Sequence, residues 1–117
     1  MKDNLNEMFP DLSFYACCGP GWNKILIPIL DYISKHNKNN PDSLIYIDDI
    51  KEKFASLRIY LSGDVSEELD DMIEAAENIS ALTCETCGEP GNTHNIRGWL
   101  STYCPTHLEE RLKKLGV

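Results

Sequence analysis

The chain has 117 residues, 42% of them hydrophobic and 26% charged, a composition ordinary for a compact globular protein. A net charge of −8 opposes general attraction to phosphate backbones, although a local basic patch can still act against it. The longest apolar run, "ILIPIL" from Ile25 to Leu30, is far too short to span a bilayer. The N-terminus lacks the apolar core of a secretion signal, so a cytoplasmic location is expected. There, five cysteines point to metal rather than to disulfides.

In chain order, residues 1–20 read as an irregular lead-in, broken by Pro10 and "GPG". From Trp22 onward Ile25, Leu26, Ile29, Leu30 and Ile33 recur at spacings of three and four, which predicts a helix with Asn23 as its N-cap. Pro28 falls off the apolar stripe and is expected to bend the helix. Residues 36–43, "HNKNNPDS", read as a loop.

"LIYIDDIKEKF" (44–54) and "LRIYLS" (57–62) are rich in β-branched and aromatic residues. They predict a β-hairpin turning at Ala55 and Ser56. Leu57, Ile59 and Leu61 share one face, and Arg58 and Tyr60 the other. Alternation fails around Asp48 and Asp49, where a bulge is expected. Next comes an acidic helix, with Asp64 and Glu67 as a capping box. Its predicted buried stripe is Val65, Leu69, Met72, Ile73, Ala76 and Ile79. A Gly-rich bend, an extended pair at "IRGWLSTY" and a last helix, "PTHLEERLKKL", complete the reading.

Cys84, Cys87, Cys104 and His107 spell C-x2-C-x16-C-x2-H. Zinc favours four tetrahedral sulfur and imidazole ligands, and each short spacing lets one backbone turn supply two of them. A knuckle, a hairpin and ligands opening a helix resemble the treble-clef zinc fold. Four good ligands leave no position for a catalytic water, so one structural Zn²⁺ per chain is expected. The competing reading is a treble-clef nuclease with His94 as general base, which would also need a second metal-holding side chain close by.

Two further stretches carry chemistry. In "CCGPGW" the adjacent Cys17 and Cys18 point apart and cannot share one ion, so packing and a tight turn are expected of them. In "IKEKFASLRIY" Lys51, Lys53 and Arg58 lie around the turn and can converge on one surface with Tyr46 and Tyr60 beside them; the competing reading is a solvated hairpin whose lysines pair with Asp48, Asp49 and Glu52. Such a patch suits phosphate groups or an acidic protein surface.

Read together, "CCGPGW", "IKEKFASLRIY", "IEAAENISALTCETCGEPG" and "GWLSTYCPTH" resemble a group of small bacteriophage and prophage proteins. Their pattern runs GW, KEKFG-x-LR-x-Y, TCE-x-CG and C-x-x-H. The resemblance implies that Cys84, Cys87, Cys104 and His107 are the zinc site. It also implies that Lys51, Lys53, Phe54, Leu57, Arg58 and Tyr60 form the central hairpin. Ala55 stands where the pattern has glycine, and a turn demanding positive φ would strain it.

The reading is therefore one α+β domain over 1–117. The lead-in (1–20) is followed by a helix–hairpin–helix core (21–82) of helices on a small antiparallel sheet. A treble-clef-like zinc module (83–117) closes the chain. The expected function is a phage-type, zinc-stabilised, non-enzymatic protein that binds a host protein, such as a component of a defence system. The alternatives are a nucleotide or nucleic-acid binder using Lys51, Lys53, Arg58 and Tyr60, or the nuclease.

Overall fold

The computed structural model describes residues 4–116; residues 1–3 of the lead-in, and residue 117, lie outside it. The chain is a mixed α+β structure of four helices and two small sheets among the described residues. The lead-in is more ordered than its composition suggests. It holds a helical turn, α1 (Leu5–Met8), a two-residue strand, β1 (Ala16–Cys17), and a 3₁₀ turn at Pro20–Trp22.

Helix α2 spans Asn23–Asn39. Asn23 is its first residue rather than its cap, and the helix runs through half of the segment expected to be a loop. Leu26, Ile29, Leu30 and Ile33 are buried as the periodicity requires, and Pro28 lies exposed within the helix.

Strands β2 (Ile45–Lys53) and β3 (Ser56–Gly63) form the expected antiparallel hairpin, with a register shift between Ile47 and Asp49 where the bulge was predicted. The turn sits one residue earlier than expected. Its two central residues are Phe54 and Ala55, both at positive φ (53° and 69°), the pattern of a type I′ turn. The strain foreseen for alanine at that position is therefore present. Strand β1 pairs with β2 in parallel, so the three-stranded sheet is mixed rather than antiparallel, in the order β1-β2-β3.

Helix α3 (Glu67–Ser80) is capped by Ser66, whose Oγ accepts from the Leu69 N–H at 3.1 Å. Asp64 is not the cap; its carboxylate accepts from Ser43 Oγ at 2.8 Å. Leu69 and Ala76 are buried, whereas Ile79 at the end of the predicted stripe is 53% exposed. The residue turned inward there is Ser80, fully buried.

Both helices lie against the same side of the sheet. Trp22, Leu26, Leu30 and Ile33 meet Ile50, Leu57, Ile59 and Leu69 in one apolar cluster. Each fully buried aliphatic side chain there contributes about 1.5–3 kcal/mol relative to exposure. No residue on the other side of the sheet is buried among those described. Strands β4 (Asn92–Ile96) and β5 (Trp99–Tyr103) make the second hairpin, and α4 (Pro105–Leu115) follows.

Candidate metal centre and open sheet face

The two ligand pairs reach one point from separate elements. Cys84 and Cys87 lie on a tight turn closed by the Gly88 N–H bonding to the Cys84 carbonyl at 2.9 Å. Gly88 has φ +87°, a conformation that would strain any residue with a Cβ. Cys104 caps α4, Pro105 opens its first turn, and His107 follows on that turn.

The four ligand atoms all lie within 4.8 Å of one another. Cys87 Sγ is 3.7 Å from Cys104 Sγ, and His107 Nδ1 is 3.6 Å from Cys84 Sγ and 3.2 Å from Cys104 Sγ. A tetrahedron with metal–sulfur bonds of about 2.3 Å has edges of about 3.7 Å, so the cluster is close enough to hold one metal ion. Burial alone would push the Cys84 thiol up, but the backbone N–H groups of Cys104, Cys87 and Thr86 outweigh it and bring the pKa down to about 6. Such a sulfur is primed as a thiolate ligand.

The sequence motif "GPGW" is the cradle of this knuckle. The Gly21 N–H donates to the Glu85 carbonyl at 2.7 Å and the Gly19 N–H to the Glu85 carboxylate at 2.9 Å. A Cβ on Gly21 would sit 2.2 Å from the Cys84 carbonyl oxygen, so only glycine lets the two backbones touch. Trp22 Nε1 donates to the Thr83 carbonyl at 2.9 Å. Neither Cys17 nor Cys18 joins the ligand cluster. Cys18 packs against the core, where burial, then the charge of Glu85, pushes its thiol up to about 12. It is a packing residue with little thiolate to offer.

His94 sits on β4 opposite Ser101. Among the described residues, the metal-capable group consists of Cys84, Cys87, Cys104 and His107, and His94 is not in it.

The basic patch is assembled on the uncovered side of the three-stranded sheet. Lys51 and Arg58 face each other across the strands, and Asp49 faces Tyr60. Lys51 Nζ lies 5.5 Å from the centre of the Tyr60 ring and 3.5 Å from the Asp49 carboxylate. Lys53 Nζ lies 5.6 Å from the centre of the Phe54 ring. Tyr46 and Ser62 form the next outward pair. The exposures are large for aromatic side chains: Tyr60 43%, Tyr46 55%, Phe54 68%, and Tyr15, just before β1, 78%. The sequence reading missed Phe54 and Tyr15 as surface groups, although a type I′ turn and a short edge strand both push such rings outward.

The hairpin tip is not a free-standing projection. Ala55 is 1% exposed, and its carbonyl accepts from Thr102 Oγ1 on β5 at 2.7 Å. The outer edge of β3 is closed as well: the Leu57 N–H donates to Ser80 Oγ and the Ile59 N–H to the Glu77 carboxylate. These helix side chains blunt the edge against strand addition along that stretch. The open surface is the face of the sheet.

No family model, curated protein or solved structure matches the chain. No helix among the described residues is long and apolar enough to cross a membrane.

Proposed function

We propose that the chain is a non-enzymatic binding protein, held in shape by one structural Zn²⁺ in a treble-clef-like module, that takes nucleic acid on the open face of its three-stranded sheet. Zinc suits the cluster because three sulfurs and one imidazole are donors it prefers, and here they lie within 4.8 Å of one another. Thiolate ligands belong to a reducing compartment, in keeping with a cytoplasmic protein.

One observation carries the binding reading. In a protein of net charge −8, Lys51, Lys53 and Arg58 gather on a sheet face that no helix covers, beside exposed rings. Surface charges beyond about 8–10 Å are screened at physiological salt, so the acidic face of α3 does not cancel this local potential. Phosphates accept from lysine and arginine alike.

A host protein with an acidic surface is the second reading. It is favoured by the exposed tyrosines and Arg58, side chains that dominate interface hot spots. Lysine, which supplies two of the three cations here, is depleted from such interfaces, and that places nucleic acid ahead.

The test is fluorescence anisotropy with a labelled oligonucleotide, comparing wild type with Lys51→Glu/Arg58→Glu. A loss of at least about tenfold in affinity, with zinc content and melting unchanged, is the expected result. Equal affinity in the folded variant would overturn the reading. So would a wild type that binds no nucleic acid but captures a host protein through the same residues.

A further inference from the structure

The open face carries more flat surface than phosphate binding alone requires. Read from its far end to the turn, the hairpin presents Tyr46, then Tyr60, then the Lys51–Arg58 pair, then Lys53 and Phe54. Two rings, then three cations, then a third ring lie along one line. In an antiparallel pair, diagonal neighbours on one face are about 7–8 Å apart, within mutual reach of aromatic side chains. Tyr46 and Tyr60 stand in that diagonal relation, Tyr46 facing Ser62 and Tyr60 lying two residues before it.

Building on the proposed nucleic-acid reading, we infer that the ligand is single-stranded, with bases stacked on Tyr46, Tyr60 and Phe54 while its phosphates pass Lys51, Lys53 and Arg58. A duplex buries the faces of its bases in its own stack and leaves these rings unused. A duplex also brings one negative charge per about 1.7 Å of axis, and would press many of them against Asp49, which lies opposite Tyr60 and 3.5 Å from Lys51. A single strand has fewer phosphates per unit length and offers its bases to the rings, which is how sheet platforms of exposed aromatics and cations hold it.

The ring faces already engage cations in the free protein, Lys51 over Tyr60 and Lys53 over Phe54. Lys51 is half-buried and Lys53 exposed, both on long flexible stems. Each can swing from its ring to an incoming phosphate and leave the ring to a base. Two ring–cation units are thus poised to become two base–phosphate units. Stacking tolerates any base, so little sequence preference is expected.

The experiment measures anisotropy with a homopyrimidine DNA strand of about 12 nucleotides, the same strand annealed to its complement, and heparin as a baseless polyanion competitor. Single strand should bind at least about tenfold more tightly than duplex. Tyr60→Ala and Phe54→Ala should each weaken single-strand binding about tenfold and leave duplex binding unmoved, and Tyr60→Phe should restore it. Both rings are exposed, so melting temperature and zinc content should not change. Equal affinity for duplex, or indifference to both ring substitutions while Lys51→Glu/Arg58→Glu abolishes binding, would overturn the stacking inference and leave the nucleic-acid reading intact. Absence of binding to any of the nucleic acids would overturn both.

Discussion

Thr102 joins the two halves of the molecule: its hydroxyl donates to the Ala55 carbonyl at 2.7 Å, and its own carbonyl accepts from the Glu85 N–H at 3.1 Å. One fully buried residue on β5 thereby ties the tip of the central hairpin to the metal-ligand knuckle. The link matters because the turn it holds is strained, with Ala55 at φ +69°. A non-glycine residue in that region costs about 1–2 kcal/mol, which the surrounding contacts must offset.

Thr102→Val keeps the shape and removes the donor. The Ala55 carbonyl is then buried without its partner, a cost of about 1–3 kcal/mol. Denaturant unfolding should show that loss, while Thr102→Ser, which retains the hydroxyl, should lose less. A valine variant as stable as wild type would mean that the tip rests on packing alone.

The metal should govern more than its own module. Elemental analysis of the purified protein is expected to give one zinc per chain. Structural zinc contributes on the order of 10 kcal/mol to a small module, so Cys84→Ser or chelation should unfold the region from residue 83 onward. Because the hairpin tip leans on Thr102, amide protons of residues 54–57 should lose hydrogen-exchange protection at the same time. No zinc, or unchanged melting in Cys84→Ser, would refute the structural role.

The glycine and cysteines of "CCGPGW" should behave oppositely. Gly21→Ala forces a Cβ to within 2.2 Å of the Cys84 carbonyl oxygen, so the knuckle must shift and melting temperature and zinc retention should both fall. Changing Cys17 and Cys18 together to serine should leave one zinc per chain, since neither sulfur is among the four gathered ligand atoms. A modest stability loss is expected from Cys18, which packs against the core. A drop in zinc stoichiometry in the double variant would mean that the ligands are misassigned.

The parts of the structure legible in the sequence are those with short-range causes. Two pairs of ligands spaced by two residues each announce a backbone turn around a metal, and the periodicity of α2 marks its buried face. The hairpin was legible too, but its turn was displaced by one residue. Phe54 and Ala55 occupy a conformation that sequence reading assigns to asparagine or glycine, and what holds them there is Thr102, 47 residues away. Strand β1 escaped notice because two residues carry no period, and its partners on β2, Ile50 and Lys51, are remote in sequence. The buried end of α3 was misread for the same reason. Ser80 turns inward to accept the Leu57 N–H at 2.8 Å, so Ile79 is left outside. Where a distant partner decides, periodicity alone points to the wrong residue.

The charge-reversal pair Lys51→Glu/Arg58→Glu separates fold from function. The two side chains face each other on the open side of the sheet, and the Lys51–Asp49 contact is half-exposed at 3.5 Å. Exposed pairs of this kind contribute at most about 1 kcal/mol, so zinc content should hold and melting should shift little. One local risk is the Arg58 Nε bond to Ser56 Oγ at 3.1 Å, which Arg58→Gln in a companion variant removes without reversing charge. Binding has more to lose. Two positive charges become two negative ones beside the rings that would hold the bases, so attraction turns to repulsion and affinity should fall well beyond tenfold at low salt. The deficit should be milder for the companion variant, which removes one charge. If the double variant is folded, zinc-loaded and fully active, the working surface lies elsewhere, and the acidic face of α3 around Glu67, Asp70, Asp71 and Glu74 is the place to reverse charge next.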